Sequence, residues 1–312
     1  MNTSSGYHKK FLHTFQVRTL RSLGYSTRVT LNNRTYIKPD WEDSSVVLME
    51  VITIDSDGLP EVVLKKQLGT LISHCRMMID VDRELESLGS QEDHVVVFYL
   101  VPGKFAATSD LTFQMERDRL WFYVTAQDHY VEYYIPDLVS SGVLYQCGAF
   151  NYSAFSTETN ALIQAPKLYL SEDLDSYLSL VYTYFSENPI PREDAVLSFK
   201  LTHSSGKEWH WKETFSPFKP YLISLRETLI RFDSLPNPLT DTQFYCLYGY
   251  CDNASLLPLI FNHNQRTQAL SVEHSLPPIY YGSSLRGDAR KATLDEIQKT
   301  GFFNTQRSLL GK

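Results

Sequence analysis

The chain has 312 residues, 43% of them hydrophobic, and sets 29 Lys and Arg against 36 Asp and Glu for a formal net charge of −7. That balance argues against broad electrostatic binding to nucleic acid or an anionic membrane, while a small anionic ligand in a local pocket still fits it. No apolar run reaches the roughly 18 residues that a transmembrane helix needs. The N-terminus has no apolar core followed by a small-residue cleavage site, so the expected compartment is the cytoplasm. Cys75, Cys147, Cys246 and Cys251 show no C-x-x-C spacing, and neither a zinc site nor a disulfide framework is expected.

In chain order, residues 7–23 space Phe11, Leu12, Phe15 and Leu20 as an amphipathic helix does, with Gly24 as its stop. The runs "TRVTLNNRTYI" and "SSVVLMEVITID" read as strands, and residues 60–88 as one long helix opening at Pro60. Short β-rich runs follow: "DHVVVFYLV", "SDLTFQMER", "RLWFYVTA", "HYVEYYIP", "GAFNYSAF" and "ALIQAPKLYL". Residues 172–187 read as a helix, "AVLSFKLTHSSGKEWHWKETF" as a hairpin, and "KPYLISLRETLIRF" as a second amphipathic helix. "TQFYCLYGY" and "LLPLIFNH" close the series as strands.

Strand pairs joined by tight turns are antiparallel, and a sheet of about ten such strands tends to close because closure removes its edges. The expected fold is therefore α+β: an antiparallel β-barrel of about ten strands ringed by helices in αββα repeats. One domain is expected over residues 1–265. The polar remainder, 266–312, is expected to lay one short helix over the barrel, with Thr293 and Glu296 of "TLDE" as a capping box.

Side chains alternate along a strand, so each run sorts into faces. Ala195, Leu197, Phe199 and Leu201 form one face of their run, and Val196, Ser198, Lys200 and Thr202 the other. The second faces of the runs together mix Trp121, Tyr123 and Tyr169 with Arg119, Lys167 and Lys200. Such a face is either solvated or lines a lumen for an apolar, charged ligand. Glu50 sits among Val46, Leu48 and Ile52, where a carboxylate is paired, neutralised or functional unless it lies at an exposed edge. Lys167 and Tyr169 place an ammonium and a phenol on one face.

From Leu138 to Lys212, the series "GAFNYSAF", "APKLYLSEDL", "DSYLSLVYTYF" and "AVLSFKLTHSSGKEWHWK" resembles the central portion of ABBA-type (PT-barrel) aromatic prenyltransferases, especially the cyanobacterial cyanobactin and indole enzymes. "KLYL" is similar to the lysine-x-tyrosine strand of fungal indole prenyltransferases. The resemblance implies transfer of a dimethylallyl group from dimethylallyl diphosphate to an electron-rich indole or phenol, of a small molecule or a cyclic peptide. It implies Lys167, Lys200, Arg119 and Lys212 as diphosphate ligands, and Tyr123, Tyr169, Tyr245 and Tyr248 as a tyrosine shield around the allyl cation. Tyr245 and Tyr248 have opposite parity, so only one faces inward unless a bulge intervenes. Glu50 would orient the acceptor and take up its proton, with Trp121 and His210 in the acceptor pocket. Val47 stands where the peptide branch carries an early arginine, which favours a small indole. No tightly bound cofactor is implied, although Mg2+ can accompany the diphosphate, and the chain is expected to be a monomer or weak dimer. The rival readings are a non-enzymatic β-barrel module for a hydrophobic ligand and a natural-product cyclase.

Overall fold

The structure, a computed structural model, describes residues 13–33, 44–57, 60–72, 75–102, 127–145, 161–183, 194–274 and 284–305. The expected strands at 109–117 and 119–126, the run "GAFNYSAF", and with them Arg119, Trp121 and Tyr123, lie outside the described residues. The chain groups into two compact units. The first is Met1–Asn151 with residues 183–192 and 217–220, and the second is Tyr152–Tyr182, Glu193–Ser216 and Tyr221–Lys312. The boundary falls inside the 1–265 span expected to form one domain.

The first unit holds β1 (His13–Arg18), β2 (Ser26–Asn33), β3 (Ser44–Ile54), β4 (Pro60–Ile72), β5 (Arg76–Asp80), β6 (Val95–Pro102), β7 (Gln127–Ile135) and β8 (Val139–Tyr145). A one-turn helix α1 (Val81–Glu84) follows β5, capped by Asp80. The sheets run β1-β6-β3-β4 and β5-β2-β7-β8. The second unit holds β9 (Ala161–Leu170), β10 (Leu174–Thr183), β11 (Ala195–His203), β12 (Glu208–Phe215), β13 (Tyr221–Ser224), β14 (Gln243–Cys251), β15 (Ser255–Asn264) and β16 (Ala269–His274). Helix α2 (Leu225–Arg231) follows β13 and α3 (Ser284–Thr300) follows β16.

The second unit's sheets are β9-β14-β11-β12 and β13-β10-β15-β16. Adding eight to every strand label of the first unit reproduces this order, and a helix follows the fifth strand in both. The two units thus repeat one topology. Val81 of α1 and its C-cap Leu85 are buried, as are Leu225 and Leu229 of α2, at the same four-residue spacing.

Every strand register described is antiparallel, as expected. The described strands form four sheets of four, with no closed barrel among them. In the second unit Leu197, Phe199 and Leu201 of one sheet pack with Leu178, Leu180 and Ile260 of the other, and α2 adds Leu225 and Leu229. This is a two-layer core with hydrocarbon from both inner faces.

Three expected helices are strands. Of 7–23, His13–Arg18 is β1; of 60–88, Pro60–Ile72 is β4 and Arg76–Asp80 is β5, with helical turns at Val81–Glu84 and Glu86–Leu88; of 172–187, Leu174–Thr183 is β10. In β10, Leu174, Tyr177, Leu178 and Val181 follow helical spacing by coincidence. Asp175–Val181 is buried throughout, and a strand covered on both faces loses the two-residue alternation that would identify it. In β4, Leu64, Leu68 and Leu71 imitate a helical stripe, but Val62, Val63, Thr70 and Ile72 favour the pleated chain. The helix expected over 219–232 begins only at Leu225, where Ser224 accepts a hydrogen bond from Glu227 N as its N-cap. Helix α3 begins at Ser284, so Thr293 is a buried mid-helix residue rather than a cap. No helix among the described residues is long and apolar enough to cross a membrane.

Candidate functional site

The hairpin β11–β12 places its apolar residues toward the core of the second unit. Phe199 stacks on Trp211 at 5.0 Å, and Trp211 meets Phe232 just beyond α2 at 5.8 Å. The residues of opposite parity form the sheet's outer face. Register puts Lys200 between His210 of β12 and Tyr248 of β14, and Tyr248 beside Gln164 of β9. The adjacent row is Lys212, Ser198, Tyr250 and Leu162.

Glu208 connects this face. Its carboxylate lies 3.1 Å from Lys200 Nζ and 3.3 Å from His210 Nε2, and Thr202 Oγ1 donates to it at 3.4 Å. Burial pushes the Glu208 carboxyl up, but the hydrogen bonds and charges of Lys200 and His210 outweigh it and hold its pKa below the ordinary value. Lys212 is exposed and has no ion pair among the described residues.

The C-terminal segment covers part of the same face. After α3, a short 3-10 turn at Phe302–Asn304 lays Phe303 flat on His210 at 4.9 Å and Phe302 flat on Tyr250 at 6.0 Å. The two phenyl rings meet edge to face at 5.4 Å. Cations beside flat aromatic faces can hold an anionic group and, next to it, a planar apolar one.

Of the residues expected in one site, Lys200, Lys212, His210 and Tyr248 share this face, and Lys167 and Tyr169 lie on its β9 edge. Tyr245 does not, because it is buried on the inner face against His203 and Trp209, where burial raises its phenol pKa. Parity alone separates it from Tyr248, since the irregularity beside it lies on β9. Pro166 and Lys167 stand together opposite Cys246, a bulge that ends before Leu168, so Lys167 and Tyr169 keep their expected common face while Leu168 and Leu170 point inward. Lys167 is exposed, and Tyr169 makes an edge contact with Phe244 at 5.4 Å.

Glu50 belongs to the first unit. It is fully buried, not at an exposed edge, and lies 3.7 Å from Lys65 Nζ. Its row reads Gln16, Val97, Glu50, Lys65, and the corresponding row of the second unit reads Gln164, Tyr248, Lys200, His210. Matched on the glutamine of the first strand, Glu50 and Lys200 occupy equivalent places in two repeats.

Glu208, Tyr250, Phe302 and Phe303 are the residues of this face that alternation did not single out. Glu208 was within reach, since it precedes His210 by two and shares its parity. The phenyl pair was not, because nothing local to "GFFNT" says which surface it covers. Among the described residues no group of three or more His, Cys, Asp or Glu could hold a metal ion. No protein-family model matches the chain, and no curated protein sequence matches it.

Proposed function

We propose that the protein is a non-enzymatic binding protein built from two repeats of one antiparallel topology, and that the second repeat presents the outer face of β11, β12 and β14 to an anionic ligand. The observation that carries this reading is the grouping of Lys200, His210 and Lys212 in adjacent rows of one face, flanked by flat aromatic rings. Glu208 offsets Lys200 on this face, and Lys212, without an ion pair among the described residues, is the cation that draws an anion even though the whole chain is acidic. The equivalence of Glu50 and Lys200 across the repeats supports it as well, since each has a place in its own unit without the other.

The second reading is dimethylallyl transfer in a ten-strand barrel, with Glu50 as the acceptor's base. The specific observation in its favour is a fully buried carboxylate at Glu50. Such chemistry must keep an allyl cation from water. One experiment separates the two: titrate inorganic diphosphate and dimethylallyl diphosphate calorimetrically, then incubate the latter with a panel of indoles, phenols and cyclic peptides, with and without Mg2+. Saturable binding without product, weakened in Lys200→Glu and Lys212→Glu, is the expected result. Prenylated product that vanishes in Glu50→Gln would replace the binding reading with the second, and no binding of either diphosphate would remove both.

A further inference from the structure

A cleft at one edge of the first unit is independent of the face just described. β4 and β5 are the edge strands of the unit's two sheets. A cavity of about 350 Å³ opens beside them, lined by Leu68 of β4, Met77 and Met78 of β5, and the polar residues Asp80, Arg83 and Glu84 of the turn into α1. Arg28 of β2 completes the wall.

Leu68 is there because of a bulge. Val47 pairs with Gly69 and Leu48 with Gln67, so Leu68 is the extra residue of β4. Gly69 has φ +139°, a conformation that side chains disfavour, and a Cβ on it would touch Met77 Cε at 3.4 Å. The bulge therefore sets Leu68 and the two thioethers together as an apolar wall. Met78 stays 65% exposed, an uncommon place for so apolar a residue unless something covers it.

Around the cleft, one cation and one carboxylate have no ion-pair partner among the described residues. Asp80 accepts from Tyr134 Oη at 2.9 Å and from Arg83 N at 3.2 Å. Glu84 is paired with Lys66 at 3.2 Å. Arg28 is paired with Glu132 at 3.2 Å and lies over the Tyr134 ring at 4.2 Å. Arg83 is exposed, and its guanidinium has no partner among the described residues.

From this juxtaposition of an apolar wall and a guanidinium without an ion-pair partner among the described residues, we propose that the cleft binds a small monocarboxylate with an apolar body, its carboxylate on Arg83 and its hydrocarbon against Leu68, Met77 and Met78. A guanidinium fork matches a carboxylate's two oxygens, and flexible thioethers adapt to varied hydrocarbon shapes. Glu84 is offset by Lys66, so it repels an incoming carboxylate less than a free acid would, and the carboxylate must sit on the side of Arg83 away from Asp80.

Octanoate is the probe. Calorimetry on the full chain should show saturable binding, with octanamide and octylammonium weaker by about tenfold or more, the loss expected for one charge-assisted contact. Arg83→Gln should weaken octanoate to a similar degree, Arg83→Lys should restore part of it, and Met78→Asp should weaken it without changing the melting temperature. In methyl NMR the Met77 and Met78 ε-methyl signals should move with the binding curve while the buried Met49 stays still. The proposal is overturned by any of three results: no heat and no Met77 or Met78 shift at millimolar octanoate, equal affinity for octanoate and octanamide, or undiminished binding in Arg83→Gln.

Discussion

Reversing the charge at Lys200 separates ligand capture from folding. The Lys200 and Glu208 side chains are 21% and 38% exposed at a separation of 3.1 Å, and an ion pair that open to water contributes about 0.2–1 kcal/mol. Replacing Lys200 by Glu turns that attraction into a repulsion of similar size, so unfolding free energy should fall by only about 1–2 kcal/mol. The effect on an anion is larger, because a donor is lost and a like charge takes its place. Diphosphate affinity should drop about tenfold to a hundredfold. The Glu208 carboxyl supplies an internal check. Its folded pKa lies below the ordinary value, so the stability it contributes is present above the usual carboxylate range and is lost as pH falls through the folded value. In Lys200→Glu its pKa should rise, narrowing that window. Urea unfolding, diphosphate calorimetry and an NMR titration of the Glu208 side chain measure the three quantities. If the variant unfolds outright, or binds diphosphate as the parent does while Glu208 titrates unchanged, the account of this face is wrong.

Substitutions at two further positions test the packing of the second unit. Asp175 is buried, accepts from Ser224 Oγ at 2.6 Å and from Arg226 N at 3.1 Å, and so ties β10 to the start of α2. Asp175→Ala should cost about 3 kcal/mol in urea unfolding, and a loss under about 1 kcal/mol would mean the tie is dispensable. Burial raises the Asp175 pKa in spite of those bonds, so its contribution is greatest at low pH and declines as pH rises through the folded value. Asp175→Asn should abolish that slope. At Gly249 an added Cβ would stand 3.1 Å from Ile163 Cβ and from Phe199 Cε1, so Gly249→Ala should overpack the second unit by about 1–3 kcal/mol and lower its melting temperature. An unchanged melting temperature would show that Phe199 moves aside freely.

The strands that stood out in the sequence were those with one solvated face. β11 and β12 alternate so plainly that the split between Phe199 with Trp211 and Lys200 with His210 is right residue by residue. β10 and β4 misled for opposite reasons: one is covered on both faces and lacks alternation, while the other carries leucines at chance helical intervals along an edge. The repeat was hidden because the same topology needs only apolar residues at matching places. Thus "FQVRTL" and "IQAPKL" share a glutamine and little else. The candidate face was half legible. Parity assembles Lys200, His210 and Lys212, but parity does not say whether a polar face points into a lumen or out to water.

By itself, the sequence determined which residues share a strand face and that antiparallel pairing dominates, because these follow from a two-residue period and tight turns, whereas the burial of Glu50 was decided by the structure. Tertiary structure alone decided how the strands are shared between sheets, which face of β11 became core, and where Phe302 and Phe303 settle. Those outcomes depend on contacts between segments far apart in the chain, and no local pattern encodes them.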